Sequence, residues 1–299
     1  MDQVVEWLLD SDPAIRWQVM RDLTGDGQAS EERSRIASEG WGARLLDLQA
    51  EDGMWGGGVY TPKWISTTYS LLLLRHFEPD PDDARVRHSI ERVEAQVDMR
   101  GPFFEYSREM CISGMVLALR SYFFNDPGDP PQVDYVLEKQ HADGGWNCDF
   151  SSDVSSFNTT LTVLEALAEF ESAVDGDGTL AAARQRAHEY LLERRLMYSL
   201  STGELINMRW LLLSFPPRWF YDVLRALDYF RISDIDPDAR MDEAVNVVTD
   251  KRRSDGTWPL QGRHPGKVHF EMEDGAGKPS KWNTLRALRV LRWYEGTAG

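Results

Sequence analysis

The sequence predicts an all-α fold, a ring of buried helices wrapped by a ring of amphipathic ones. Three observations predict it. A short turn motif occurs three times, each time ahead of an apolar helix. Stretches that are apolar nearly all round alternate with stretches apolar along one face only. No strand-rich region or linker interrupts this alternation across the 299 residues.

The N-terminal stretches 4–9 and 14–23 supply a first helix pair. The first turn reads Gln49-Ala50-Glu51-Asp52-Gly53-Met54-Trp55 and leads to the apolar helix around 67–72. The second, Gln140-His141-Ala142-Asp143-Gly144-Gly145-Trp146, leads to the helix around 159–164. The third, Arg252-Arg253-Ser254-Asp255-Gly256-Thr257-Trp258, has Arg in place of Gln and precedes 283–288. In each, Asp-Gly makes a tight turn, because Gly favours and Asp tolerates positive φ. Two further apolar helices, at 113–119 and 220–227, match without the turn. Aligning Leu71, Val116, Val163, Val223 and Ala287 gives intervals of about 45 to 64 residues, each long enough for two helices. Amphipathic stretches at 82–97, 131–140, 180–195 and 241–252 fall between them. About six inner and six outer helices follow. They form a single domain over 1–299, in which 1–40 completes the ring and 41–295 is the repeat region.

Composition narrows the function. Lys and Arg number 33 against 49 Asp and Glu, a net charge of −16, which argues against nucleic acid as a partner. No apolar run approaches the ~20 residues of a membrane span. The start Met1-Asp2-Gln3 lacks a basic, then apolar, leader, so a cytoplasmic location is expected. Two cysteines, Cys111 and Cys148, cannot build a disulfide framework. Eleven Trp, ten Tyr and twelve Phe suffice for an aromatic-walled cavity.

The residues just before the inner helices form a second pattern. They include Trp64 with Lys63; Glu105 to Glu109 with Arg108; Asn147, Cys148 and Asp149 with Phe157 and Asn158; Arg218, Trp219, Tyr221 and Asp222; and Lys278, Trp282 and Asn283. Aromatics alternate there with both signs of charge. Parallel inner helices would bring these positions to one mouth, where helix N-termini favour an anionic group. Each residue taken singly also reads as a cap or a loop ion pair. Together they suggest a pocket for a small-molecule ligand. The long stretch 259–281, with His264, His269, Glu271 and Glu273, reads equally as a lid or as a surface loop over the seam.

The Gln-x-x-Asp-Gly-x-Trp turn ahead of an inner helix resembles the repeat of squalene-hopene cyclases, oxidosqualene cyclases and protein prenyltransferase β subunits. The chain looks like one of the small bacterial squalene-cyclase-like proteins, and the likeness covers roughly residues 40–295. It implies an α/α toroid, an (α/α)6 barrel. Class II terpene cyclases carry Asp-x-Asp-Asp, and Asp80-Pro81-Asp82-Asp83 matches that pattern. Yet Asp-Pro recurs at Asp236-Pro237 and Asp12-Pro13, so helix capping is the favoured reading. Prenyltransferases hold zinc through Asp, Cys and His. Cys111 and Cys148 could take part in such a site, but Asn158 stands where a third ligand would fall, so no cofactor is expected.

Three functions remain open. The first is a terpene-cyclase- or prenyltransferase-like enzyme using acid/base chemistry on an isoprenoid-like or other small substrate. Trp64, Phe157, Trp219, Tyr221 and Trp282 would line its cavity, and a carboxyl of Glu109, Asp149 or Asp222 would move the proton. Arg108, Asn158, Arg218, Lys278 and Asn283 would help bind substrate. The second is a carbohydrate-active toroid, a glycoside hydrolase or uronate lyase, with Arg218, Lys278 and Tyr221 suited to the lyase. The third is a non-catalytic binding or scaffold toroid with a filled centre.

Overall fold

The computed structural model describes residues 2–96, 109–124, 130–174 and 180–296. Thirteen α-helices occur among them: α1 (Gln3–Leu9), α2 (Pro13–Val19), α3 (Ala29–Ser34), α4 (Gly40–Asp47), α5 (Thr67–Phe77), α6 (Ala84–Glu94), α7 (Met110–Phe123), α8 (Pro130–Glu138), α9 (Phe157–Ala173), α10 (Ala181–Glu193), α11 (Val223–Ile232), α12 (Asp242–Thr249) and α13 (Lys281–Gly296). Two-residue strands at Trp258–Pro259 and Pro279–Ser280 pair antiparallel across the base of the 259–281 stretch.

The three Trp turns explain how the pairs are built. Each tryptophan is fully buried. The indole N–H of Trp55, Trp146 and Trp258 donates to the carbonyl of Leu45, Val136 and Val248 respectively, at 2.7–2.8 Å. Those carbonyls belong to the last turn of α4, α8 and α12, where intrahelical partners run out. The backbone N–H of the same tryptophans donates to the hydroxyl of Thr67, Thr160 and Thr284, in the first turns of α5, α9 and α13. One residue thus clamps the end of an outer helix to the start of an inner one.

The turn glutamines extend the clamp to the following outer helix. Gln49 Nε2 donates to Gly53 O and to Ser89 O on α6. Gln140 Nε2 donates to Gly144 O and to Ala183 O on α10. Gly53 and Gly144 have φ of +80° and +95°, and a Cβ on either would lie 2.4 Å from the carbonyl oxygen of Arg92 or Arg186. Only glycine fits both the conformation and the approach. The third turn packs on α1 instead, with Gly256 against Val4, and there Arg252 replaces the glutamine.

Inner helices α2, α5, α7, α9, α11 and α13 pack in chain order, and α13 returns to α2. The α2–α5 junction is tied by Trp17 Nε1 donating to Phe77 O and Gln18 Nε2 to His76 O. Contacts of α2 with both α5 and α13 join the N-terminal helices to the rest of the ring. Leu71, Val116, Val163, Val223 and Ala287 are all fully buried. Aspartate caps set where several helices start. Asp83 caps α6, accepting from the N–H of Arg85 and Val86. Asp12 caps α2, and Asp238 caps a short 3₁₀ turn. Asp80 accepts from Asp82 N, so the Asp80–Asp83 run serves as helix-start structure. No helix among the described residues is long and apolar enough to cross a membrane.

Candidate functional site: a charged hollow inside the ring

Among the described residues, the expected mouth at the starts of the inner helices is covered at Trp64 and Trp219. The 259–281 stretch folds over it. Trp64 Nε1 donates to Pro265 O at 2.7 Å, and Ser70 Oγ lies 2.7 Å from His269 Nε2. Trp219 stacks on Phe220 at 4.0 Å, and Phe220 on His264 at 4.1 Å. The guanidinium of Arg218 sits 5.2 Å over Trp64, and burial lowers its pKa to about 10. Lys63 lies 5.9 Å from both Trp64 and Trp219. Beside these residues lies a space of about 80 Å³, enough for a few waters. The stretch is a wall, with its Pro265 and His264 packed on Trp64 and Phe220, which come from outside it.

The other residues named from sequence scatter. Phe157 and Tyr221 belong to a core cluster with Trp210, ring centroids 4.6–5.1 Å apart. Tyr221 Oη donates to Leu196 O, and Asn158 Oδ1 accepts from Tyr221 N. Asn283 is buried, with Nδ2 donating to Pro259 O. Lys278 is exposed beside the small hairpin. Asp149 is exposed and accepts from Ser151 N and Oγ, which lower its pKa. This corrects the expectation of a desolvated carboxyl there, because a surface turn keeps it in water. Asp222 does have a raised pKa, from burial, opposed by Arg286 and by backbone N–H donors. It caps α11 through Arg225 N. Glu109, Cys111 and Cys148 converge, their ligand-type atoms all within 4.8 Å of one another. Glu105 to Arg108 lie outside the described residues.

The large cavity lies instead along the ring axis towards the C-terminal halves of the inner helices. It measures about 670 Å³, and every inner helix lines it. Its wall is charged. Asp228 on α11 accepts a bidentate pair from Arg289 Nε and Nη2, at 3.0 and 2.7 Å, and also a bond from Arg231 Nε at 3.0 Å. Arg286 Nε is 3.5 Å away. These guanidiniums hold the Asp228 carboxyl far below its usual range despite its burial. Arg225 forks onto Glu165 at 2.9 and 2.6 Å, while Arg75 and Arg184 pair with Glu169 and Glu171. Phe215 and Trp282, stacked 4.2 Å apart, form the one broad apolar plate.

His76 lines the same hollow. Its ring packs edge-on to Phe215 at 5.7 Å. Among the described residues no protein group hydrogen-bonds its nitrogens. Burial, then the charges of Arg75, Arg286 and Arg225, push its pKa well below 6.5. It is therefore a neutral imidazole whose nitrogens are left for something in the cavity.

A neighbouring buried histidine gives a stability test. His188 Nε2 lies 2.9 Å from Tyr229 Oη, and burial, then Arg184, lowers its pKa to about 4. Between about pH 4 and 6.5 the unfolded chain binds this proton and the folded one does not, so folding stability falls as pH drops through that window. Buried Asp222 and Glu273, with raised pKa values, act in the opposite sense. Replacing His188 by Gln should therefore lower the pH slope of the unfolding free energy by about one proton. Urea unfolding at closely spaced pH values reads this, and an unchanged slope would refute it.

No family model and no curated protein sequence matches the chain. Among solved structures it is similar to a type II terpene cyclase, MstE from Scytonema, in its apo form. That match has 16% identity over 93% of this chain and 85% of that one, with a TM-score of 0.45. It is also similar to a protein from Actinoplanes, with 16% identity over 93% and 87% of the two chains and a TM-score of 0.45. A variant of the cyclase holding geranylgeranyl dihydroxybenzoate matches at 15% identity over 95% and 87%, with a TM-score of 0.43. Among the described residues, six inner helices closed around one hollow, with three tryptophan turns clamping outer to inner helices, make the chain an α/α toroid.

Proposed function

We propose that the protein is an enzyme that takes a small anionic organic molecule into the central hollow and performs acid/base chemistry on it with His76 as the base. One observation carries this reading: a neutral imidazole with no hydrogen-bond partner among the described residues faces a cavity whose wall presents Arg75, Arg225, Arg286 and Arg289. Three guanidiniums share Asp228 and are not neutralised by it alone, although Asp22 also pairs with Arg289. A carboxylate or phosphate placed there would bond to further donors of Arg231 and Arg286, since Arg289 is already paired with Asp228, Asp22 and Gln18. Phe215 and Trp282 would seat the apolar part of the same molecule. The arginines that bind the anion also keep His76 unprotonated, so it is ready to accept a proton at neutral pH.

The wall bears on the readings drawn from sequence. An isoprenoid cyclase needs an apolar cavity around a protonated carboxyl, whereas this one is lined by ion pairs. The residues suited to a uronate lyase lie apart: Arg218 at the closed mouth, Tyr221 in the core and Lys278 on the surface. A scaffold with a filled centre does not leave about 670 Å³ open.

The test begins with binding. Mono- and dicarboxylates, phosphate esters and diphosphates are compared with neutral sugars and alcohols by calorimetry and thermal shift. Anions are expected to bind and to raise the melting temperature. Binders are then incubated with the enzyme in D₂O and read by mass spectrometry for incorporated deuterium. His76→Asn should keep the binding within about threefold and abolish the exchange, because the imidazole is the base and not the anchor. Binding confined to neutral compounds, or exchange that survives His76→Asn, would overturn the proposal.

A further inference from the structure

Cys111 and Cys148 lie at the opposite end of the ring from the hollow's histidine, on the first turn of α7 and in the loop before α9. Both are partly exposed. Their sulfurs lie within 4.8 Å of each other. The two are not equivalent. Cys148 Sγ accepts from the backbone N–H of Cys111 at 3.0 Å and from Thr159 Oγ1 at 3.4 Å. It therefore sits on an unpaired N–H of the start of a fourteen-residue helix, with a hydroxyl donor on its other side. Both donors stabilise a thiolate. Cys111 Sγ faces the Glu109 carboxylate at 3.9 Å, which favours its protonated form.

We propose that these residues form a hydroperoxide-reactive dithiol, with Cys148 as the attacking thiolate and Cys111 as the resolving thiol. The oxidant is a hydroperoxide from outside the protein. Cys148 thiolate attacks the distal peroxide oxygen; the O–O bond breaks, and the other oxygen leaves as an alcohol or water after taking a proton. Sulfur loses two electrons and becomes a sulfenic acid. Cys111 sulfur, giving up its proton, then attacks Cys148 sulfur. The S–O bond breaks, water leaves and a disulfide forms. In sum, two thiols and one hydroperoxide give one disulfide, one alcohol and one water. Thr159 positions the attacking sulfur. The step does not depend on the reaction proposed for the hollow.

Reduced full-length protein is treated with hydrogen peroxide and followed by intact mass. The wild type should lose two hydrogens within one chain, with the peptides of Cys111 and Cys148 joined. Cys111→Ser should halt at a sulfenic acid on Cys148, trapped by a 1,3-dione probe. Cys148→Ser should slow the reaction at least about tenfold, since Cys111 lacks the two donors. Thr159→Val, which keeps the side-chain shape, should slow formation of the Cys148 adduct in the Cys111→Ser background. Equal reactivity of the two single cysteine variants, a disulfide formed only between chains, or a stoichiometric zinc ion that shields both thiols until it is chelated would each overturn the proposal.

Discussion

Replacing Asp228 by Asn is expected to cost about 3–5 kcal/mol of folding stability. The Asp228 side chain is 8% exposed and has Arg231, Arg286 and Arg289 around it. Removing its charge leaves three cations in a poorly solvated wall, with Asp22 the remaining acid on Arg289. A buried pair broken on one side is costly because the partner's desolvation is no longer compensated. Asp238→Asn is the control. That carboxylate pairs with Arg240 near the surface, where such a pair contributes about 0–1 kcal/mol. Urea unfolding of both variants gives the comparison. The same experiment bears on the function. If anions occupy the hollow, phosphate or a dicarboxylate should restore part of the loss in Asp228→Asn, following the logarithm of its concentration. A loss below about 1 kcal/mol would show that the cluster is solvated enough to do without its acid.

Trp146→Ala should be of similar size, about 3–5 kcal/mol. The indole is fully buried, so its removal leaves a cavity that the surrounding helices can only partly close. It also deprives the Val136 carbonyl of its donor at the end of α8. Trp146→Phe separates the two effects. It keeps most of the ring volume but lacks the N–H, and should lose about 1–3 kcal/mol for the unpaired carbonyl. If Phe and Ala prove equally damaging, the hydrogen bond dominates. If neither costs more than about 1 kcal/mol, the clamp is not what joins α8 to α9.

The helix pairs were legible in the chain because each is specified locally. Asp143-Gly144 makes the turn, Trp146 reaches back to α8, and Thr160 answers from α9. All three lie within a short span of sequence. The Asp12-Pro13 cap could be read for the same reason, whereas near Asp80-Pro81 and Asp236-Pro237 the capping residues are Asp83 and Asp238. The hollow also leaves a signal in the sequence. Arg225 and Asp228 stand three residues apart in an otherwise apolar helix, Arg286 and Arg289 likewise, and Glu165 and Glu169 four apart. Charges at helical spacing on a buried helix need an interior that is wet or ion-paired, since isolated buried charges are not tolerated.

The sequence pattern alone predicted about six outer–inner pairs, because hydrophobic periodicity and turn chemistry act between near neighbours. Which end of the ring stays open was settled only in three dimensions. It depends on how loops distant in sequence fill a shared space. Pro265 meets Trp64, and His264 meets Phe220, so the aromatic residues expected to line a mouth close it. At the other end, guanidiniums from four helices need room and compensating carboxylates, which come from residues far apart in the chain.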